Sequence, residues 1–493
     1  MTSLVLGIDV GTSATKAVLV DGNGTIVDSA RAEHGFEQPH PGFAEQDAEA
    51  IWWGDTVRVV RDLLRERRGE PAAVCISGIG PCALIGDEAG QPLHAAILYG
   101  IDSRASTEID ELNDELGAEK ILGVCGSPLS SQAVGPKLRW LGKANSALLR
   151  SPHRLLMPSS LAVLRLTGEY VLDHHSASQC DPLYDLRAGK WIDEWWPQVA
   201  GELPKPRLLW PGEVAGEVSS AAAEETGIPA GTPVCAGTID AWAESIAAGV
   251  TEPGALMVMY GSTIFLVQCM SAPASSPALW ATAGVEPGTY SLAAGMATGG
   301  LAVTWLRGLL GDPPWDVFME QAAEVPPGAR GLLFLPYLAG ERTPIFDPDA
   351  RGLLLGLTLA HGPPELARAV FEGIAFAVRH NVEAMASVGS PSTRIVGVGG
   401  GTRSGALPQV VTDVLGREQS ICDPSVGASF GSAILAARAA SMIDDANAWT
   451  RVDRILEPEP STADLYTELY GRYRDLYPLT ADAMHALARL GAS

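Results

Sequence analysis

Apolar runs bounded by glycine mark the opening of the chain as strands. Residues 3–10 are short, apolar and end at Gly11, the pattern of a strand buried on both faces. Residues 14–20 repeat it. Asp21-Gly22-Asn23-Gly24 follows, and because Gly and Asn tolerate positive φ, this predicts a hairpin turn into a third strand over 25–28. Trp52, Thr56, Val59, Val60, Leu63 and Leu64 then recur at helical spacing behind Asp47, a suitable N-cap. Arg65, Arg67 and Arg68 complement the C-terminal end of that helix, and Gly69 stops it. Residues 73–77 predict another buried strand, and strands alternate with helices to about residue 250, an α/β pattern.

The opening pattern returns half-way along. Residues 255–260, Gly261-Ser262-Thr263 and 264–268 are again strand, glycine-hydroxyl turn, strand. A repeat with this period predicts duplicated domains rather than a solenoid. Gly249, Pro253 and Gly254 cluster at the junction. The expected division is 1–248, 249–445 and a helical tail in 446–493, with the tail helix over 463–490. A length of 493 residues also exceeds what one core usually supports.

Composition narrows the function. The formal charge is −24, from 58 acidic and 34 basic residues, which disfavours nucleic acid and anionic membrane surfaces as partners. The seven cysteines are scattered and form no C-x-x-C pair, so a reducing, cytoplasmic setting is expected. The N-terminal segment has no basic region followed by a sustained apolar run, and no stretch is of membrane-spanning length. Oligomeric state is open at this level; a homodimer is compatible with the sequence.

Three glycine loops carry candidate chemistry. In the first, Asp9 precedes Gly11-Thr12-Ser13, with Lys16 three residues on. A glycine turn offers amide N–H groups to phosphate oxygens. Thr12 and Ser13 add hydroxyls, Lys16 adds a charge, and Asp9 suits Mg²⁺; an ordinary hairpin has the same spacing. Gly261-Ser262-Thr263 is a second such loop. Gly237-Thr238-Ile239-Asp240 leads from a strand over 232–235 into a helix. There Asp240 is either a helix cap or a general base, and Glu244 lies one turn further on the same face. The third loop, Gly399-Gly400-Gly401, joins a strand to a helix over about 404–415 and would let a flat group approach the backbone. The Gly-rich helix over 427–440 reads as close helix packing. No P-loop, protein-kinase motif set or histidine metal motif is present.

These loops in this order resemble the FGGY carbohydrate kinases, a family of the actin-like ATPase fold. The likeness covers about residues 4–440. Its most specific stretch is Gly352 to Glu372, GLLLGLTLAHGPPELARAVFE, and the segment from Phe334 to Pro344 is similar to that of the xylulose kinase-like branch. The resemblance implies two actin-like (ribonuclease H-like) α/β domains around a cleft. It also implies ATP and Mg²⁺, and a small sugar or polyol as acceptor. Carried over residue by residue, Asp9 would organise the metal. Gly11, Thr12, Ser13, Lys16, Gly261, Ser262 and Thr263 would meet phosphates. Gly300, Thr304, Gly400, Gly401 and Ser404 would contact the nucleotide, and Asp240 would be the base. Gly80, Pro81, Asp102 and Arg104 would face the acceptor. Where xylulose kinases carry Gln-Met-His-Gly, this chain has Ile79-Gly80-Pro81-Cys82. In place of Leu-Trp-Asn-Asp-Gly-Arg it has Leu98-Tyr99-Gly100-Ile101-Asp102-Ser103-Arg104, one residue longer. The best acceptor is therefore expected to be another ketose or polyol, with D-xylulose secondary. An actin-like nucleotide switch or filament protein without a sugar substrate is the alternative from another class.

Overall fold

The computed structural model describes residues 3–65, 70–423 and 427–491; the expected roles of Arg67, Arg68 and Gly69 lie outside them. Two mixed sheets organise the chain. The first contains β1 (Leu4–Val10), β2 (Ala14–Asp21), β3 (Ile26–Glu33), β4 (Pro71–Gly78), β5 (Val214–Glu217) and β6 (Pro233–Cys235), in the order β5-β6-β4-β1-β2-β3. The second contains β7 (Ala255–Tyr260), β8 (Ile264–Met270), β9 (Trp280–Ala283), β10 (Tyr290–Met296), β11 (Arg394–Val398), β12 (Gln419–Cys422) and β13 (Val452–Leu456), in the order β9-β10-β8-β7-β11-β12-β13.

The repeat seen in the sequence is thus a repeat of topology. In each sheet three antiparallel strands are followed by two parallel ones: β3-β2-β1-β4-β6 in the first, β10-β8-β7-β11-β12 in the second. The first hairpin forms as its residues require. The Asp21 carboxylate accepts from Asn23 and Thr25 amides at 2.9 Å, and Gly24 takes φ 75°. Strand β3 runs to Glu33, five residues past its predicted end, because it is an edge strand. Its exposed polar side chains hide the pattern that a buried strand would show.

Helices join the halves. Asp47 caps as expected, its side chain accepting from the Ala50 amide, but the first turns are π-helical before α1 (Thr56–Leu64) begins. Helix α2 (Asp240–Ala247) follows β6, and the other helices near the site are α3 (Gly300–Leu309), α4 (Pro363–Val388), α5 (Ala406–Leu415) and α6 (Ala428–Ala439). Helix α6 follows β12 as α2 follows β6, and the two pack together with no side chain between them: a Cβ on Gly431 would stand 1.8 Å from the Ala243 carbonyl oxygen. One buried cluster draws on both sheets, including Val5, Cys75, Trp242, Met257, Val396 and Ile434. Past β13, helix α7 (Ala463–Gly491) buries Tyr466, Tyr470 and Tyr473 against Phe376 of α4. Among the described residues no helix is long and apolar enough to cross a membrane.

Candidate active site

A cavity of about 830 Å³ separates the two sheets, walled by Asp9, Lys16, both hydroxyl loops and Asp240, among others. Sheet register sets its floor. Asp9, near the end of β1, is opposite Lys16 on β2 and Ser77 on β4. Partners in register share a face, so the cation and the hydroxyl flank the carboxylate, and Ser77 Oγ donates to Asp9 Oδ1 at 3.0 Å. Burial holds the Asp9 carboxyl above its ordinary range, against the opposing effects of Lys16 and Ser77.

The loop at Gly11-Thr12-Ser13 closes through the Gly11 amide onto Ala14 O at 3.0 Å. Its carbonyls are held from behind. His34 Nε2 reaches Gly11 O at 2.8 Å, Gln46 Nε2 donates to Thr12 O at 3.1 Å, and the His34 amide donates to Ser13 O at 3.1 Å. The second loop repeats the closure, Gly261 N to Thr263 O at 3.0 Å. It is held from behind by the start of α3, where the Gly300 and Leu301 amides donate to Gly261 O and Ser262 O at 2.9 Å.

Asp240 is the first residue of α2; Ile239, not Asp240, occupies the cap position. The approach to it is tight, since a Cβ on Gly237 would fall 1.6 Å from Ile76 O. Protein surrounds the Asp240 carboxyl although part of it faces the cavity. That desolvation, and then the negative charge of Asp9, raise its pKa. Glu244, one turn on and also on the wall, is pushed up to about 7 by burial and then by Asp9.

Beyond Asp240 the wall becomes aromatic and amide-rich. Trp242, Phe265 and Trp280 line it with Tyr99, Ile101, Gln132 and Gln179. Gln132 Oε1 accepts the Gly100 amide at 3.1 Å. Gln179 Nε2 donates to His175 Nε2 at 2.8 Å, and His175 Nδ1 donates to Ala283 O at 2.8 Å. Burial lowers His175 to about 3, so the ring is neutral.

Comparison with known proteins decides the family. The profile of the FGGY family of carbohydrate kinases matches with its N-terminal domain over residues 4–247 and its C-terminal domain over 256–440. The chain belongs to the FGGY family of carbohydrate kinases. It is 28% identical over 500 residues to a xylulose kinase of Staphylococcus epidermidis, covering 98% of each chain. It is 27% identical over 464 residues to a gluconokinase of Bacillus subtilis, covering 91% of this chain and 90% of that one. The crystal structure of xylulose kinase from Rhodospirillum rubrum superposes with a TM-score of 0.91 at 31% identity, covering 98% and 100%. The fold is therefore the two-domain actin-like architecture.

Within this FGGY kinase the cavity gathers Asp9, Gly11, Thr12, Ser13, Lys16, Gly80, Asp240, Gly261, Ser262, Thr263 and Gly400. Other expected residues stand elsewhere. Asp102 and Arg104 turn away into an ion pair at 2.7 Å; Arg104 also pairs with Glu45 at 2.7 Å and lies 3.9 Å over the Phe43 ring. With its donors matched by carboxylates and its face covered, Arg104 has nothing left for an acceptor. Tyr99 and Ile101 of that lengthened segment take the wall instead. Pro81 is buried behind Gly80. The Gly300 amide is spent on Gly261 O, and Thr304 is exposed on α3. Gly401 packs on Tyr260, whose Cβ would lie 2.9 Å from an added methyl. Ser404 is exposed, and α5 begins at Ala406 after a 3₁₀ turn over Gly400–Thr402, two residues later than predicted. His34, Gln46, Gln132 and Gln179 carry no local motif that marks them in the sequence, and Arg342, inside the segment from Phe334 to Pro344, has no site role that the sequence alone assigns.

Proposed function

We propose that this kinase transfers the γ-phosphoryl group of ATP to a hydroxyl of a small sugar or polyol, with Asp240 as the general base. One observation carries the reading: two glycine-hydroxyl loops, from equivalent hairpins of the two sheets, share a single cavity with Asp240. With loop carbonyls engaged behind, the cavity side of each loop is left to amide N–H groups and the Thr12, Ser13, Ser262 and Thr263 hydroxyls. These suit a polyphosphate held between the domains. Lys16 and Arg403 add positive charge on the same wall. Gly400 has open space where a Cβ would go, which suits a flat base.

Asp240 accepts the acceptor's proton at its carboxylate as the hydroxyl oxygen attacks in line. Positioning and fixed charge supply most of the acceleration. The cleft residues fit Mg²⁺. Asp9, Asp240 and Glu244 bring three carboxyl groups around one lysine, each with its pKa raised by burial, as suits groups that await a cation, and the Asp9 carboxyl is engaged by a single hydroxyl. Among the described residues no three His, Cys, Asp or Glu side chains form a metal cage. Asp9, water and the nucleotide's phosphates would hold the ion, as Mg²⁺ is commonly held. When bound it would neutralise phosphate charge. A division of the chain near residue 248 fits this arrangement, with the base at the end of the first part and the base-binding loop in the second.

The acceptor side supports a ketose or polyol. Its flat aromatic rings suit C–H faces, and Gln132 and Gln179 offer hydroxyl partners in place of the missing Gln and His. ADP release measured with and without a panel of ketoses and polyols, followed by NMR of the product, tests the reading. Release that requires a sugar supports it. Release that instead follows polymerisation of the protein refutes it and favours a nucleotide-driven filament.

A further inference from the structure

A recess of about 20 Å³ opens beside the main cavity and shares Gln132, Gln179 and Trp280 with its wall. That volume holds one water or one hydroxyl group. Behind the shared residues lie Asp181 and Thr282, only 6% and 3% exposed. Asp181 Oδ1, Thr282 Oγ1 and Trp280 Nε1 are all buried without a hydrogen-bond partner. Native interiors leave few polar atoms in that condition, and here all three belong to residues that wall one small space.

The recess lies at the end of an aromatic row that starts beside the base. Trp242, two residues from Asp240, has its ring 5.8 Å from Phe265, and Phe265 is stacked 6.3 Å from Trp280. An acceptor that presents one hydroxyl to Asp240 and lies along these rings points its other end toward Trp280.

Resting on the sugar-kinase reading above, we propose that this recess binds the end of the acceptor remote from the phosphorylated hydroxyl and selects a neutral hydroxymethyl group over a carboxylate. The indole N–H donates to the hydroxyl oxygen, and Thr282 and Asp181 accept or donate to complete its bonds. A carboxylate finds no counter-charge, because the recess walls include no Lys, Arg or His. The Asp181 carboxyl, which burial holds well above the usual carboxylate range, supplies no positive charge either. The cations of the site, Lys16, Arg342 and Arg403, line the main chamber instead. The distinction is chemically real for FGGY relatives, which include enzymes named for a ketose and for an aldonate.

The test is kcat/KM for the wild type, Thr282→Val, Thr282→Ser and Asp181→Asn. The acceptors are D-xylulose and D-fructose, their 1-deoxy counterparts, D-xylonate and D-gluconate. The wild type should prefer hydroxymethyl over methyl by about tenfold or more, as sites built to bond a hydroxyl do, and should favour the ketoses over the aldonates. Thr282→Val should cut the hydroxymethyl preference severalfold with KM for ATP unchanged, Thr282→Ser should keep it, and Asp181→Asn, which keeps a polar group without positive charge, should leave the preference for ketoses over aldonates in place. Turnover with the same ratios in all four proteins overturns the recess assignment alone, as does a wild-type preference for the deoxy sugar or the aldonate, which needs no variant to fold. If none of these six compounds supports ADP release, the recess assignment falls; the kinase reading falls only if the wider panel of ketoses and polyols fails as well.

Discussion

The Tyr99 hydroxyl lies 3.2 Å from Thr12 Oγ1, which ties the strap on the acceptor side to the first phosphate loop. Tyr99→Phe keeps the ring on the wall and removes only this tie. A neutral hydrogen bond is worth about 0.5–1.5 kcal/mol net, so kcat/KM should fall roughly two- to tenfold, taking about 1.4 kcal/mol as tenfold. Steady-state kinetics with each substrate varied in turn check this. A change confined to KM for ATP would assign Tyr99 to the loop alone.

Asp240→Asn should retain the fold and nucleotide affinity while losing most turnover. The amide is nearly isosteric but cannot take the proton, and general base catalysis is typically worth about 10²- to 10⁴-fold. Single-turnover rates with the identified acceptor, alongside calorimetric nucleotide binding, separate the two effects. Near-wild-type turnover would remove Asp240 from the chemistry.

The crowded carboxylates predict opposite pH trends for stability and activity. Asp240 and Glu244 hold their protons more tightly folded than at their ordinary values of 3.8 and 4.5. Their contribution to stability is fully present below about pH 4 and is lost as pH rises through the raised folded values, about 7 for Glu244. Without nucleotide, the melting temperature should therefore drop between pH 5 and pH 8, and Asp240→Asn or Glu244→Gln should flatten that drop. Turnover has the reverse sign, because the base works deprotonated, so kcat/KM should rise over the same range. Melting curves of the three proteins at both pH values check the first claim. Equal slopes would show that these groups do not titrate as argued.

What the sequence made legible is what local chemistry determines. The strand–loop–strand hairpins, the repeat and the Gly237-to-Asp240 approach were readable because glycine turns and buried runs announce themselves. Asp102 and Arg104 were not, since their side chains are claimed by Glu45, Phe43 and Trp140, partners from other segments. Gln132, Gln179 and Trp280 come from three separate stretches and meet only where the halves pack. Even β3 was cut short, because an exposed edge strand lacks the apolar run that marked β1.

The packing between the halves makes a test independent of catalysis. Helix α6 lies directly on β1: a Cβ at Gly7 would stand 2.1 Å from Ser429 O and 2.4 Å from the Ala433 amide nitrogen. Both are backbone atoms, so no side chain can swing aside, and the helix itself must move. Its first residue, Ala428, lines the cavity with Gly427, so that movement reaches the site. Overpacking of this kind costs about 1–3 kcal/mol. Gly7→Ala should accordingly lower the melting temperature and reduce turnover together. Gly22→Ala is the control on the same sheet. Its added methyl would meet only Met442 Cε at 3.7 Å, an ordinary contact, and both stability and turnover should stay near wild type. Thermal melts and kcat/KM of the two variants decide the matter. A Gly7→Ala protein as stable and active as Gly22→Ala would mean that α6 does not rest on β1 as described.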